Sequence, residues 1–224
     1  MKLFIAGQKE FGLAVCAAAL AAGHTVVGVS SPELNSRRSN TDRLRYLAEE
    51  RGIPWMPAGT LTAETMPEGV DLILAAHSHD FIGRRTRLKA RLGAVGYHPS
   101  LLPLHRGRDG VKWALKMGDR VTGGSIYWLS DQMDGGDLAA QDYCFTRPRD
   151  TAEELWRRDL FPLGVRLFER VLADLSRGVL VAVPQDHSLA TWEPALDQPP
   201  VRRPDLPMLG SGGLDGFTVI RERN

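Results

Sequence analysis

Residues 2–29 constrain the fold more tightly than any other part of the chain. Lys2 to Ala6 reads as a short buried strand, and Gly7-Gln8-Lys9-Glu10-Phe11-Gly12 as a turn. Leu13 to Ala22 is an Ala-rich helix closed by Gly23, where a left-handed cap is wanted. Thr25 to Val29 is a second strand, rich in β-branched residues. Strand, turn, helix and strand in this order make a βαβ unit. That unit implies a parallel sheet buried on both faces. The turn lacks the G-x-G-x-x-G pattern, so it is no dinucleotide fingerprint.

The same alternation continues. Arg43 to Arg51 is an amphipathic helix ended by Gly52, and Ile53 to Met56 is a short strand. Val70 to Ala76, apolar apart from Asp71, reads as a central parallel strand. Arg84 to Leu92 is a basic helix, and Ala94 to Tyr97 a strand that delivers His98 at its carboxyl end. In open α/β sheets that edge is where ligands bind. Arg108 to Met117 follows as a helix, then strands at Val121 to Leu129 and Leu138 to Phe145. Thr151-Ala152-Glu153-Glu154 is a capping box opening a long helix, Glu153 to Ser176, which Pro162 should kink. The fold class is α/β: a Rossmann-like, mostly parallel sheet with helices on both faces.

The chemistry concentrates between Gly96 and Asp137. Gly96-Tyr97-His98-Pro99-Ser100-Leu101-Leu102-Pro103 opens the stretch, Arg106-Gly107 follows, and Met133-Asp134-Gly135-Gly136-Asp137 closes it. A histidine and a carboxylate on loops at strand ends can share one cleft and move a proton. These motifs resemble the active site of the formyltransferases that use 10-formyltetrahydrofolate, whose fingerprint is Asn-x-His-x-Ser-Leu-Leu-Pro, Arg-Gly and Asp-x-Gly. The resemblance covers about residues 1–197.

It implies the formyltransferase fold and transfer of a formyl group from 10-formyltetrahydrofolate to a primary amine. His98 and Asp134 would be the catalytic pair, with Asp131 and Asp137 as weaker carboxylate candidates. The folate would lie in an apolar slot between His79 to Ile82 (His79, Phe81 and Ile82) and Leu129 to Met133 (with Leu129 and Asp131). Ser100, Leu101, Leu102 and Pro103 would form the floor near the one-carbon group. One position departs from the pattern. Gly96 stands where the family has Asn, so the oxyanion donor would come from another group (His77, His79, Tyr97 or a water), the reading favoured, or from the acceptor itself, or the protein would be a slow enzyme or a binder.

Composition limits the other readings. Basic and acidic residues nearly balance, 28 against 27, which suggests no dedicated nucleic-acid or anionic-membrane surface. The run Arg84, Arg85, Arg87, Lys89 and Arg91 reads as a solvated helix face, or alternatively as a seat for an anionic acceptor. Two cysteines, Cys16 and Cys144, read as buried free thiols in a reducing cytoplasm. No metal is expected, because His77-x-His79 lacks a third ligand. No apolar run approaches the roughly 20 residues of a membrane span.

Residues 1–197 are expected to form the catalytic domain, and 198–224 a Pro- and Gly-rich C-terminal tail. Leu206, Met208, Leu209, Phe217, Val219 and Ile220 in that tail would dock on their own domain or on a neighbour, which leaves oligomeric state open. The family's tRNA-handling members continue into a barrel domain that 27 residues cannot form. A small-molecule amine is therefore the expected acceptor, with tRNA, hydrolysis of the formyl-folate, or folate binding without catalysis as alternatives.

Overall fold

A computed structural model of the chain describes residues 1–33, 42–78, 80–194 and 196. Seven strands form one sheet: β1 (Lys2–Gly7), β2 (Thr25–Ser31), β3 (Trp55–Pro57), β4 (Leu72–Ala76), β5 (Ala94–His98), β6 (Val121–Trp128) and β7 (Leu138–Phe145). Their spatial order is β3-β2-β1-β4-β5-β6-β7. The first five are parallel, and β6 and β7 are antiparallel additions. From β1 the chain runs outward through β2 and β3 on one side and through β4 and β5 on the other. The strand order thus reverses between β1 and β4, the place where such sheets open a crevice at their carboxyl ends.

Alternation along the strands feeds two cores. Leu3 and Ile5 of β1, Leu72 and Leu74 of β4, and Val95 of β5 join one cluster. That cluster lies under α1 (Lys9–Ala21), α2 (Arg43–Arg51) and the later helix α6 (Phe161–Ser176). Phe4, Ala6, Ile73 and Ala94 point the other way, onto Leu61, Met66, Val70, Ile82 and Ala90 beside α3 (Arg84–Lys89). In β5 this period puts Gly96 and His98 on the second face and Tyr97 on the first.

The segment read as a turn at residues 7–12 is mostly helix, since α1 begins at Lys9. Its glycines serve packing rather than turning. A Cβ at Gly7 would lie 2.7 Å from the Ala76 carbonyl, and one at Gly12 would lie 3.1 Å from the Gly7 backbone. The helix can therefore start directly against the strand. Asp42 caps α2 through the Leu44 amide and also accepts from the Lys9 amide at 2.8 Å, tying the two helix starts together.

The long helix expected from Glu153 is divided. The capping box is present, with Thr151 and Glu154 bonded in both directions, and opens α5 (Ala152–Leu155). Trp156–Leu160 then forms a π-helical turn, and α6 follows with Pro162 in its first turn. Proline has no amide hydrogen and its ring crowds the carbonyl four residues back, so the ladder widens just ahead of it. Thr151→Ala is expected to lower stability by about 1 kcal/mol in urea titrations, without changing activity beyond twofold.

Cys16 is buried, and burial pushes its thiol up to about 12, whereas Cys144 is only half-buried; both are free. The tail's apolar residues and its Pro- and Gly-rich stretches lie outside the described residues. Among the described residues no helix is long and apolar enough to cross a membrane.

Candidate active site

A cleft of about 1160 Å³ opens at the carboxyl ends of β1, β4 and β5. His98 and Asp134 face each other in its wall. His98 ends β5 and is buried. Its Nε2 lies 2.7 Å from the carbonyl oxygen of His105. A carbonyl only accepts, so Nε2 carries a proton, and the tautomer this selects has its lone pair on Nδ1. Nδ1 stands 3.6 Å from Asp134 Oδ2, beyond a hydrogen bond but in reach of one once a proton arrives.

Asp134 is fixed on three sides. Its Oδ1 accepts from the Tyr127 hydroxyl at 2.6 Å and its Oδ2 from the Gly107 amide at 2.8 Å. Its backbone is left-handed, φ 50°, a conformation Asp tolerates better than most residues. Gln185 holds the loop from outside, donating to the carbonyls of Asp134 (2.8 Å) and Gly136 (2.6 Å) and accepting from Arg106 (2.7 Å). A Cβ at Gly136 would sit 1.8 Å from the Trp128 carbonyl, so that position takes only glycine. Arg-Gly and Asp-Gly-Gly are therefore two halves of one clamp. Burial lowers the Arg106 guanidinium's pKa, and the Asp134 charge acts the opposite way.

The other carboxylates sort themselves. Asp137 is exposed and off the cleft wall. Asp131 stands exposed at the rim, 2.6 Å from Arg87. Arg87 also donates to the Ile82 carbonyl at 3.0 Å, so it pins together the two loops expected to form the folate slot. Ile82 and Leu129 line that part of the cleft and pack on the second core, and Phe81 is 90% exposed at its mouth. His79 lies outside the described residues. The basic run around α3 is not simply a solvated face. Arg85, Arg87, Lys89 and Arg91 pair with Glu64, Asp131, Glu68 and Asp71, and the Arg87 side chain is largely covered.

Ser100, Leu101, Leu102 and Pro103 do not line the cleft, contrary to the expectation of a floor. Ser100 Oγ donates to the Leu104 carbonyl, and Ser125 Oγ donates to the Ser100 carbonyl while accepting from the Leu102 amide. Gln141 donates to the Leu102 carbonyl. The Leu102–Pro103 bond is cis. The motif is a rigid loop behind the wall that presents His98 from one end and the His105 carbonyl from the other.

Tyr97 borders the cleft, but its hydroxyl proton is already committed away from it. It points to the opposite face, packs on Phe11, and donates its hydroxyl to the Leu160 carbonyl at 2.8 Å. His77 lines the cleft with its ring 6.3 Å from that of Trp156. Among the described residues, no group of three or more His, Cys, Asp or Glu is arranged to hold a metal.

Two features were not foreseen from the motifs. Tyr127 reaches the site from β6. His105 lies just behind it, with Nε2 donating to Asp119 at 2.8 Å, Nδ1 3.3 Å from Glu193 and its amide donating to Thr191 at 2.8 Å. The Glu193 contact lacks hydrogen-bond geometry and acts as a charge contact. Burial pulls the His105 pKa down, but the Asp119 hydrogen bond and the Glu193 contact outweigh it and raise it to about 9. His105 is thus an imidazolium at neutral pH. No local pattern marks Glu193, 88 positions away, as its partner.

A doubly wound sheet with a His and an Asp facing each other in a cleft at its carboxyl edge defines the class: a fold of the formyltransferase type. The formyl transferase family model matches residues 57–170, and the chain belongs to that family. It is 33% identical over 203 residues to the mitochondrial 10-formyltetrahydrofolate dehydrogenase of Mus musculus, covering 86% of this chain and 22% of the relative. It is 32% identical over 201 residues to the methionyl-tRNA formyltransferase of Chloroflexus aurantiacus, covering 85% of this chain and 64% of the relative. The chain therefore spans only part of the length of these relatives. Among solved structures, the N-formyltransferase of Helicobacter canadensis, in complex with folinic acid and dTDP-3-aminofucose, matches with a TM-score of 0.71 at 17% identity. That match covers 89% of this chain and 72% of the other.

Proposed function

We propose that this protein transfers the formyl group of 10-formyltetrahydrofolate to the primary amine of a small molecule. The observation that carries the reading is the His98–Asp134 pair, with His98 held by the His105 carbonyl in the tautomer that leaves Nδ1 as a base. In this reading the amine attacks the formyl carbon and the carbonyl electrons move onto oxygen. His98 Nδ1 takes a proton from the attacking nitrogen, and Asp134 stabilises the imidazolium that results. Collapse of the tetrahedral intermediate breaks the bond to N10, and the proton passes to that nitrogen. The folate occupies the Phe81, Ile82 and Leu129 side of the cleft, and no metal takes part. The same cleft is lined by Lys9, Arg108 and Lys112, the last paired with Asp109 at 2.9 Å, beside the carboxylates of Asp80 and Glu153, a mixed lining that suits an acceptor bearing both an amine and an anionic group.

One observation favours a second reading, in which water is the acceptor. The chain is a third identical, across most of its length, to enzymes whose name gives 10-formyltetrahydrofolate as substrate and no amine as acceptor. Incubation with 10-formyltetrahydrofolate, following tetrahydrofolate release with and without a panel of amines, separates the two. Release that depends on an amine and yields its formamide is expected. Equal release without any amine would establish hydrolysis, and no release would sink both.

We further propose that the working unit ends near Asp197, in a cytoplasmic protein. Supporting this, residues 183–194 and Leu196 strap the site: Trp113 donates to the Pro194 carbonyl and the Leu196 amide to Asp109. Deleting residues 203–224 is expected to leave folate affinity and turnover within threefold of the full chain. Loss of folate binding in titrations would show that the tail belongs to the site.

A further inference from the structure

We propose that Tyr127 is the positioning residue for Asp134, aiming the carboxylate at His98, and that Gly96 is the clearance that admits it. The inference rests on the formyl-transfer reading and adds a residue which that reading does not use. Three independent observations carry it. The β5–β6 register sets Gly96 directly opposite Tyr127 and His98 opposite Ser125, so Gly96, His98 and Tyr127 share the face that carries the cleft. The Tyr127 hydroxyl donates to Asp134 Oδ1 at 2.6 Å, leaving Oδ2 turned toward His98. A Cβ at residue 96 would already lie 3.5–3.6 Å from the Tyr127 ring and 3.0 Å from the Leu129 side chain. A Cβ therefore already fills the space up to the ring in ordinary contact and crowds the Leu129 methyl, and a longer side chain at residue 96 has to compete with Leu129 and the Tyr127 ring for it.

The chemistry of the pair is consistent with a fixed donor. Burial, then the adjacent Asp134 charge, then the hydrogen bond itself all push the Tyr127 hydroxyl well above its ordinary range, so it stays protonated throughout neutral pH. With Gly107 on the other oxygen, the carboxylate is held at two points and cannot rotate about its terminal bond without breaking one contact. A carboxylate so held keeps one oxygen in place for the imidazolium at no cost in reorganisation. This also accounts for Gly96. The residue gives up a side chain beside the Tyr127 ring; the Tyr127 hydroxyl, its one proton committed to Asp134, is not itself the oxyanion donor.

The test is a mutant cycle on the full chain. Tyr127→Phe removes only the hydroxyl oxygen and keeps the ring in place. It is expected to lower kcat about 10- to 100-fold, the range that a hydrogen bond to a charged group commands. KM for 10-formyltetrahydrofolate should stay within threefold, and thermal unfolding should confirm the fold. The discriminating readout is the same change made in an Asp134→Asn background, where it is expected to cost less than threefold, because Tyr127 acts through the carboxylate. Gly96→Asn is expected to lower kcat, not raise it. If Tyr127→Phe stays within threefold of an active wild type, or costs as much in the Asp134→Asn background, this inference falls and the functional reading stands. A gain of 10-fold or more in Gly96→Asn would overturn it equally. A wild type that neither transfers nor hydrolyses the formyl group removes the functional reading, and this inference with it.

Discussion

Asp134→Asn is expected to lower kcat by about 10²–10⁴-fold while changing folate affinity by less than threefold. The substitution keeps the size of the side chain. Its amide can still accept from Tyr127 or Gly107 through the remaining oxygen. What it removes is the negative charge facing His98 Nδ1, and with it, on the proposed mechanism, the stabilisation of an imidazolium formed during transfer. Asparagine can also turn its NH2 toward Nδ1 and occupy the lone pair the base needs. His98→Ala should cost a similar factor, since in the proposed mechanism the two residues handle one proton. Asp137→Asn is the control: that side chain is exposed and off the cleft, so activity should stay within threefold. Single-turnover formyl transfer, with folate binding by fluorescence titration, separates the outcomes. If Asp137→Asn were the more damaging change, the carboxylate would be misassigned. If both were mild, the His–Asp pair would not be the proton-handling group.

What the sequence makes legible is mostly what is local. The capping box at Thr151, the left-handed stop at Gly52 and the strand delivering His98 depend on neighbours within a turn, and all three are present. His98 and Asp134 share a wall because each ends or follows a strand whose place in the sheet the alternating pattern implies. The misreadings have a common cause. Gly7 and Gly12 look like turn glycines, but the pattern cannot show that a helix start lies against Ala76. Ser100 to Pro103 look like a floor, yet their backbone groups are spent on Ser125 and Gln141 of the antiparallel strands behind them. Tyr127 meets Gly96 only through a strand register, and Gln185 and Glu193 reach the site from a segment 49 or more positions away. Local propensity carries none of these distances, because they are set by how layers close on one another.

The largest expected effect on stability lies just behind His98. His105 is an imidazolium between Asp119 and Glu193, with its pKa raised from an ordinary 6.5 to about 9. A group bound more tightly to its proton when folded stabilises the fold. That contribution is fully present below about pH 6.5, where both states are protonated. It is lost as pH rises through about 9, where the folded imidazole too gives up its proton. The interval corresponds to ~3 kcal/mol at ~1.4 kcal/mol per unit. Urea unfolding at pH 6, 7.5 and 9.5 should show that decline, and His105→Gln should abolish most of it. At pH 7 the variant should be destabilised by about 3–5 kcal/mol, because two carboxylates then share a buried space without their cation. Activity offers a second readout. The His105 carbonyl that fixes the His98 tautomer lies on a backbone held at φ 55° by the imidazole's two partners and Thr191. Loosening it should lower kcat more than it raises KM. A stability profile flat between pH 6 and 9.5 would show that His105 is neutral in the folded protein, and that the Asp119–His105–Glu193 cluster carries one more proton on a carboxylate.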